Sequence, residues 1–270
     1  LGFNALNALN DKVQKQVDKM RNNVAVVILA AGMGTRMKSD KAKVLHEITD
    51  QPMISYVAET AQKVAGDSVI VVVGHQAQEV RGCLSGFDGL IFAHQDQQLG
   101  TGHAVLCALP HIPDRCEDVV ILCGDVPLIR SETIIDLVED HLEKARDISL
   151  LAVELDNPFG YGRVVLDDKR GVTGIIEETD ATPEQKEIKL INTGIYCINK
   201  QFLLEAVPKI KSDNAQGELY LTDVMGIGHR EKKKIGVQIG TDCQQILGVN
   251  TCQDLELVEA IMKKRQRIIP

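Results

Sequence analysis

The run Val24–Leu29, VAVVIL, constrains the fold more than any other stretch of the chain. Six consecutive apolar residues, four of them β-branched, have strand length and no polar face, so both faces of the strand need cover. Similar runs recur at Ser68–Val73 and Asp118–Leu122, with a shorter one at Leu90–Ala93. Between them lie segments with helical patterning: Pro52–Val64, with Pro near its first turn, then Ala77–Leu84, Gly102–Leu109 and Thr133–Lys144. This alternation predicts an α/β fold: a Rossmann-like, mostly parallel sheet with right-handed crossovers and helices on both faces. Ligands of such sheets bind beyond the carboxyl ends of the strands, where the loops after Leu29 and Leu122 fall.

The second half is richer in strand. Ser149–Leu155, Gly162–Leu166 and Thr173–Glu177 predict a small inserted antiparallel lobe turning at Asp167–Gly171, which makes the sheet mixed. A polar insertion at Asp180–Lys189 is followed by a strand at Ile191–Ile198 and helices at Gln201–Val207 and Leu219–Arg230. A strand at Lys234–Ile239 and an amphipathic helix at Asp254–Arg265 close the chain. Residues 24–270 read as one continuous sheet domain. In residues 1–23, Leu1, Leu6, Leu9, Val13, Val17 and Met20 have helical spacing. They suggest an added helix, a partner-binding arm or the tail of a preceding domain, and no chemistry or partner is assigned to them.

Charge and cysteines narrow the function classes. A formal net charge of −8 argues against nucleic acid as a partner, which needs a basic face. No apolar run reaches the roughly 18 residues of a membrane span. Seven scattered cysteines, with no pair separated by two residues, exclude zinc-ribbon and thioredoxin readings and point to a reducing cytoplasm.

The local signal after the first strand is Leu29-Ala30-Ala31-Gly32-Met33-Gly34-Thr35-Arg36-Met37. Glycines there let backbone amides approach a ligand closely and form an anion nest. A Walker loop requires Gly-Lys-Ser/Thr, which is missing. A dinucleotide fingerprint requires a small residue where Met37 stands and an acid after the second strand, where Val73-Gly74-His75 stands. Both motifs fail. Arg36, Lys38, Lys41 and Lys43 nevertheless concentrate cations beside the loop in an acidic protein. On charge alone they read more readily as a solvated, charged loop.

The order of several blocks carries a resemblance. The glycine block is followed by Lys43-Val44-Leu45-His46, Pro52-Met53, then Gln98-Leu99-Gly100-Thr101-Gly102-His103-Ala104 and Gly124-Asp125-Val126-Pro127-Leu128. Gly160-Tyr161-Gly162-Arg163, Asn192-Thr193-Gly194, Gln216-Gly217-Glu218 with Tyr220, Thr222 and Asp223, and Gly248-Val249-Asn250 complete the set. From about Val24 to the closing helix the chain resembles the sugar-nucleotide pyrophosphorylases, most closely the uridyltransferase domains of bacterial N-acetylglucosamine-1-phosphate uridyltransferases.

The resemblance implies a nucleotidyltransferase fold of type A, with 24–148 as a nucleotide-binding half, 149–250 as a sugar-binding half and 251–270 as a C-terminal helix. It implies transfer of UMP from UTP to N-acetylglucosamine 1-phosphate, with Mg²⁺ as cofactor. Arg36 and Lys43 are then the catalytic cations. Leu29, Ala30, Ala31, Gly32, Gly34, Thr35, Gln95, Gly100, Thr101 and Gly124 hold the nucleotide, with Gln95 and the Gly100-Thr101 backbone reading the base. Gly162, Glu177, Asn192, Tyr220 and Thr222 hold the sugar phosphate, and Asp125 and Asn250 the metal.

Blander readings stand beside these. Asp125 can be a turn cap, Asn250 a helix cap, Glu177 a surface carboxylate like its neighbour Glu178, and Tyr220 a half-buried aromatic opening a helix. His46, His94 and His103 show no paired acid at evident spacing and read as structural. Two positions depart from the pattern. Ala42 stands where Pro is common, which loosens the loop before Lys43, and Cys123 stands where a larger side chain is expected. Alternatives to the uridyltransferase reading are a transferase for another sugar or for dTTP, and a non-catalytic nucleotide-binding module.

Overall fold

In a computed structural model, residues 22–268 are described; the helical extension expected over residues 1–23 falls almost wholly outside them. Seven strands form the main path of one sheet. In chain order they are β1 (Val24–Ala30), β4 (Val69–Val73), β5 (Ile91–His94), β6 (Asp118–Cys123), β7 (Ile148–Glu154), β10 (Leu190–Asn199) and β11 (Ile235–Gly240). Their order across the sheet is β11-β7-β10-β6-β1-β4-β5. β2 (Glu47–Ile48) and β3 (Gln51–Pro52) make a separate small ribbon, and β8 (Arg163–Leu166) with β9 (Val172–Ile176) forms a hairpin attached to β10.

Burial explains the apolar runs. β1 lies between β4 and β6, parallel to both. Its alternate residues feed two different cores: Val24, Val26, Ile28 and Ala30 on one face, Ala25 and Val27 on the other. Helix Met53–Ala65 covers the first face with Met53, Ile54, Val57, Ala58, Ala61 and Val64, all fully buried. Helix Thr101–Ala108 covers the second face with Ala104, Val105 and Ala108. After β1 the chain builds outward through β4 and β5, then returns to the other side of β1 for β6. That reversal opens a crevice at the carboxyl ends of β1 and β6, the switch point at which such sheets bind ligands.

The sheet is mixed because β10 runs antiparallel to both β6 and β7, whereas β11 pairs parallel with β7. The β10–β7 register breaks between Asn192 and Ile195, where Gly194 takes a positive φ of 77°. At this bulge the β10 backbone passes close to Cys123, whose Sγ would lie 3.0 Å from a Cβ on Gly194. The β8–β9 turn is an Asx turn, in which Asp167 Oδ1 accepts from the amides of Lys169 (2.9 Å) and Gly171 (2.8 Å).

The largest boundary difference is the start of one helix, by a full turn. The helix expected from Leu219 begins at Asp223. Residues 219–222 instead run irregularly because their backbone is engaged elsewhere: Leu219 N–H donates to Leu99 O (2.7 Å), and Leu219 O accepts from Gly102 N–H (2.7 Å). Tyr220 therefore does not open a helix. No helix among the described residues is long and apolar enough to cross a membrane.

Candidate active site

A cleft of about 460 Å³ sits over the carboxyl ends of β1 and β6. Its lining includes Leu29, Ala30, Ala31, Gly32 and Gly34 from the glycine loop, Lys43, Gln95, Gly100 and Thr101, and Asp125. The structure thus gathers most of the predicted nucleotide set. It adds Glu218 and Gln98, which lay inside recognised blocks without an assigned role.

The two glycines of the loop have different reasons. A Cβ on Gly32 would meet nothing within 4 Å, so that position faces open space where a ligand can approach the backbone. Gly34 has φ +69°, and a Cβ there would stand 2.5 Å from Lys43 Cβ. Only glycine lets the lysine segment close over the loop. The backbone of Thr35 belongs to a 3-10 turn, Thr35–Met37, that presents Arg36. Gly124 fits because a Cβ would press to 2.9 Å from Ile54 Cδ1; its amide donates to Leu29 O at 2.9 Å, tying β6 to β1 at the cleft floor.

Four side chains converge at one edge of the cleft. Lys43 Nζ is paired with Asp125 Oδ2 and donates to Asn250 Oδ1 at 3.0 Å. Arg36 Nη2 donates to the same Asn250 oxygen at 2.8 Å. Arg36 and Asn250, 214 positions apart in sequence, therefore meet here, and Lys43 shares the same acceptor. The helix-cap reading of Asn250 fails, because Thr251 caps helix Cys252–Ile268, its Oγ1 accepting from Asp254 N at 3.2 Å. Asp254 in turn accepts from the amides of Asn250 (3.0 Å) and Thr251 (2.8 Å), which frees the Asn250 amide oxygen for the cations. Val249 N–H donates to Asp125 O at 2.9 Å and aligns the two segments.

This arrangement tests the metal assignment. Asp125 and Asn250 both present hard oxygen donors to the Lys43 ammonium, with Arg36 also on Asn250, so the pair suits a hard divalent cation. No group of three or more His, Cys, Asp or Glu side chains is placed to hold a metal among the described residues. Two protein oxygens leave most of a coordination shell to phosphate and water.

Gln95 is buried, at 3% exposure. Its Nε2 lies 3.2 Å from Gly100 O and 3.0 Å from His103 Nδ1, which fixes the amide's orientation. His103 is thus tied to the cleft wall. His94 departs from the expectation of no acidic partner, since its Nε2 lies 3.2 Å from Asp96 Oδ1 in an exposed pair. Cys123 lines the cleft, and burial pushes its thiol up to about 12, so it acts as an apolar group there.

The predicted sugar set does not line this cleft. It forms an adjoining cluster beyond Cys123 and Gly194, where a Cβ on Gly194 would meet Cys123 Sγ at 3.0 Å. Glu177 Oε1 accepts from Thr222 Oγ1 at 3.0 Å, and a Cβ on Gly162 would approach the other Glu177 oxygen to 3.2 Å. Burial raises the Glu177 carboxyl above the usual range, and the Thr222 hydrogen bond only partly offsets this. Asn192 N–H donates to Gly162 O (2.8 Å), while Asn192 Oδ1 accepts from Tyr196 OH and Gly194 N, both at 2.9 Å. Tyr220 OH donates to Gln216 Oε1 at 2.9 Å. Glu178, equal to Glu177 in sequence, points the other way and pairs with the fully buried Arg163 at 2.7 Å.

Comparison with known proteins shows the family. Residues 26–177 match the MobA-like NTP transferase domain. The chain is 41% identical over 92% of its length to the bifunctional protein GlmU of Desulfotalea psychrophila, spanning 73% of that protein. It is 42% identical over 91% of its length to GlmU of Geobacter metallireducens and 43% over 90% to GlmU of Acetivibrio thermocellus, spanning about half of each. A solved structure of a Bacillus anthracis protein assigned as a glucose-1-phosphate thymidylyltransferase, in complex with a sucrose, superposes with a TM-score of 0.68 at 18% identity, over 88% of this chain and 94% of that one. That likeness speaks to the fold alone. A crevice built at the sheet's switch point and sequence likeness across it give one answer: the chain belongs to the MobA-like NTP transferase domain family, in the branch that includes the GlmU proteins, and is a nucleotidyltransferase.

Proposed function

We propose that the chain transfers UMP from UTP to N-acetylglucosamine 1-phosphate, releasing pyrophosphate and forming UDP-N-acetylglucosamine, with Mg²⁺ as the cation at Asp125 and Asn250. The observation that carries this reading is the meeting of Lys43, Arg36, Asp125 and Asn250 beside an open glycine loop. Phosphoryl chemistry of this kind needs positioning and charge stabilisation more than covalent help.

The sugar phosphate oxygen attacks the α-phosphorus in line; the new O–P bond forms as the bond to the β-phosphate bridge breaks and pyrophosphate leaves. The attacking phosphate is already ionised, so no strong general base is required. Amides at Gly32–Thr35 hold the triphosphate, and Arg36 and Lys43 neutralise charge building on the leaving pyrophosphate. Magnesium, when bound, supplies Lewis-acid polarisation of the phosphate oxygens. Gln95 and the Gly100-Thr101 backbone orient the uracil. Gly162, Glu177, Asn192, Tyr220 and Thr222 receive the sugar. The halves 24–148 and 149–250 thus take the nucleotide and the sugar respectively. Seven free thiols fit a reducing compartment, and we propose the cytoplasm.

The test is pyrophosphate release by the purified chain with Mg²⁺, each nucleoside triphosphate and a panel of sugar 1-phosphates. UTP with N-acetylglucosamine 1-phosphate is expected to give the highest kcat/KM. Preference for dTTP or another sugar overturns the substrate assignment, and nucleotide binding without turnover overturns catalysis.

A further inference from the structure

Lys43 has a neighbour whose backbone is held from a distance. Ala42 is fully buried, with φ −53° and ψ 137°, and its N–H donates to Gln76 Oε1 at 2.6 Å, across 34 residues of sequence. The loosening expected from alanine at this position is therefore not what the structure has, since the free N–H is used as an anchor. Gln76 follows β4 in a left-handed conformation (φ 51°, ψ 44°), a cost that neighbouring contacts must sustain.

The Gln76 carbonyl accepts from Val80 N–H at 3.0 Å in the following helix, and the contacts of residues 73–75 reach the segments of the cleft. His75 N–H donates to Ala31 O at 3.3 Å. A Cβ on Gly74 would stand 3.0 Å from that same oxygen and 2.7 Å from Gln98 Nε2. Gln95 N–H donates to Val73 O at 2.8 Å. Residues 73–76 thus touch the glycine loop, the base-side loop and the lysine segment, although none of the four lines the cleft.

We infer that Gln76 is a positioning residue for Lys43, acting through the Ala42 amide and holding the lysine segment in register with the glycine loop. This rests on the proposed role of Lys43. The chemistry offers a reciprocal test, because the Ala42 φ is one that proline adopts. A proline Cδ would sit about 1.5 Å from the nitrogen, in the direction now taken by the Gln76 oxygen. Proline at 42 therefore removes the donor and displaces the Gln76 amide from its present position, whereas proline at 42 and alanine at 76 fit together.

Pyrophosphate release and thermal unfolding are measured for the wild type, Gln76→Ala, Ala42→Pro, the double variant and Gln76→Glu. For Gln76→Ala, kcat is expected to fall about tenfold with KM for the sugar phosphate within about twofold; Ala42→Pro falls at least as far. The double variant is expected within about threefold of wild type, an interaction far from additive. Gln76→Glu keeps an acceptor and most of the rate. Exchange of the Ala42 amide is expected to speed about tenfold in Gln76→Ala. Unchanged kcat in Gln76→Ala, or additive losses in the double variant, overturns the inference. If the wild type releases no pyrophosphate with any pair, the functional reading fails, and amide exchange together with recovery of melting temperature in the double variant decides the tether alone.

Discussion

The two regions proposed to take the substrates are built differently. At the triphosphate edge, two cations, a carboxylate and an amide oxygen meet over a glycine loop that leaves its backbone open. In the adjoining sugar cluster the polar side chains answer one another: Thr222 with Glu177, Tyr196 with Asn192, Tyr220 with Gln216. The first is organised around two cations and their oxygen partners, the second around side-chain hydrogen bonds with Glu177 as its one carboxylate among these pairs. Charge is where transition-state energy is concentrated in phosphoryl transfer. The difference teaches that damage to the first region should fall on kcat, and damage to the second on sugar affinity.

The sharpest way to break this comparison is Asp125→Ala or Lys43→Ala. Each is expected to lower kcat/KM on the order of 10³-fold in steady-state pyrophosphate release. An equal loss on truncating Glu177 erases the distinction. Next comes Gly34→Ala, which places a Cβ at positive φ against Lys43. About 1–3 kcal/mol of strain is expected in denaturant unfolding, with about a tenfold drop in kcat as the lysine is displaced.

A smaller, pH-dependent effect separates the regions further. Burial raises the Glu177 carboxyl, so on acidification it takes up its proton at a higher pH than an ordinary glutamate. Loss of its charge weakens acceptance from sugar hydroxyls. KM for the sugar phosphate should therefore rise on the acid side while KM for UTP stays flat. Glu177→Gln should flatten that limb; a limb that survives this change belongs to another group. Tyr196→Phe is expected to have the smallest effect, about 1 kcal/mol in stability from one buried hydrogen bond, with kcat within about twofold.

Much of the scaffold was legible because its signals are local. The β-branched runs, the Pro before helix Met53–Ala65 and the Asp167–Gly171 turn each act within a few residues, and each element formed where expected. The helix from Leu219 was misjudged at its start because distant carbonyl and amide partners at Leu99 and Gly102 claim that backbone. Such competition leaves no periodic trace. Glu177 and Glu178 were indistinguishable in sequence for the same reason. Both lie just past the end of β9, and their opposite directions follow from which partner, Thr222 or Arg163, lies on each side.

By itself, then, the sequence determined that this chain builds a mixed α/β sheet with a glycine loop at its switch point and cations close by, since hydrophobic period and glycine placement act over short range. Tertiary structure alone decided that Asn250 meets Arg36 and Lys43, that Glu177 turns inward, and that Gln76 holds the residue before the lysine. These pairings span 34 to 214 residues, and only the completed sheet brings such distant groups within hydrogen-bonding reach.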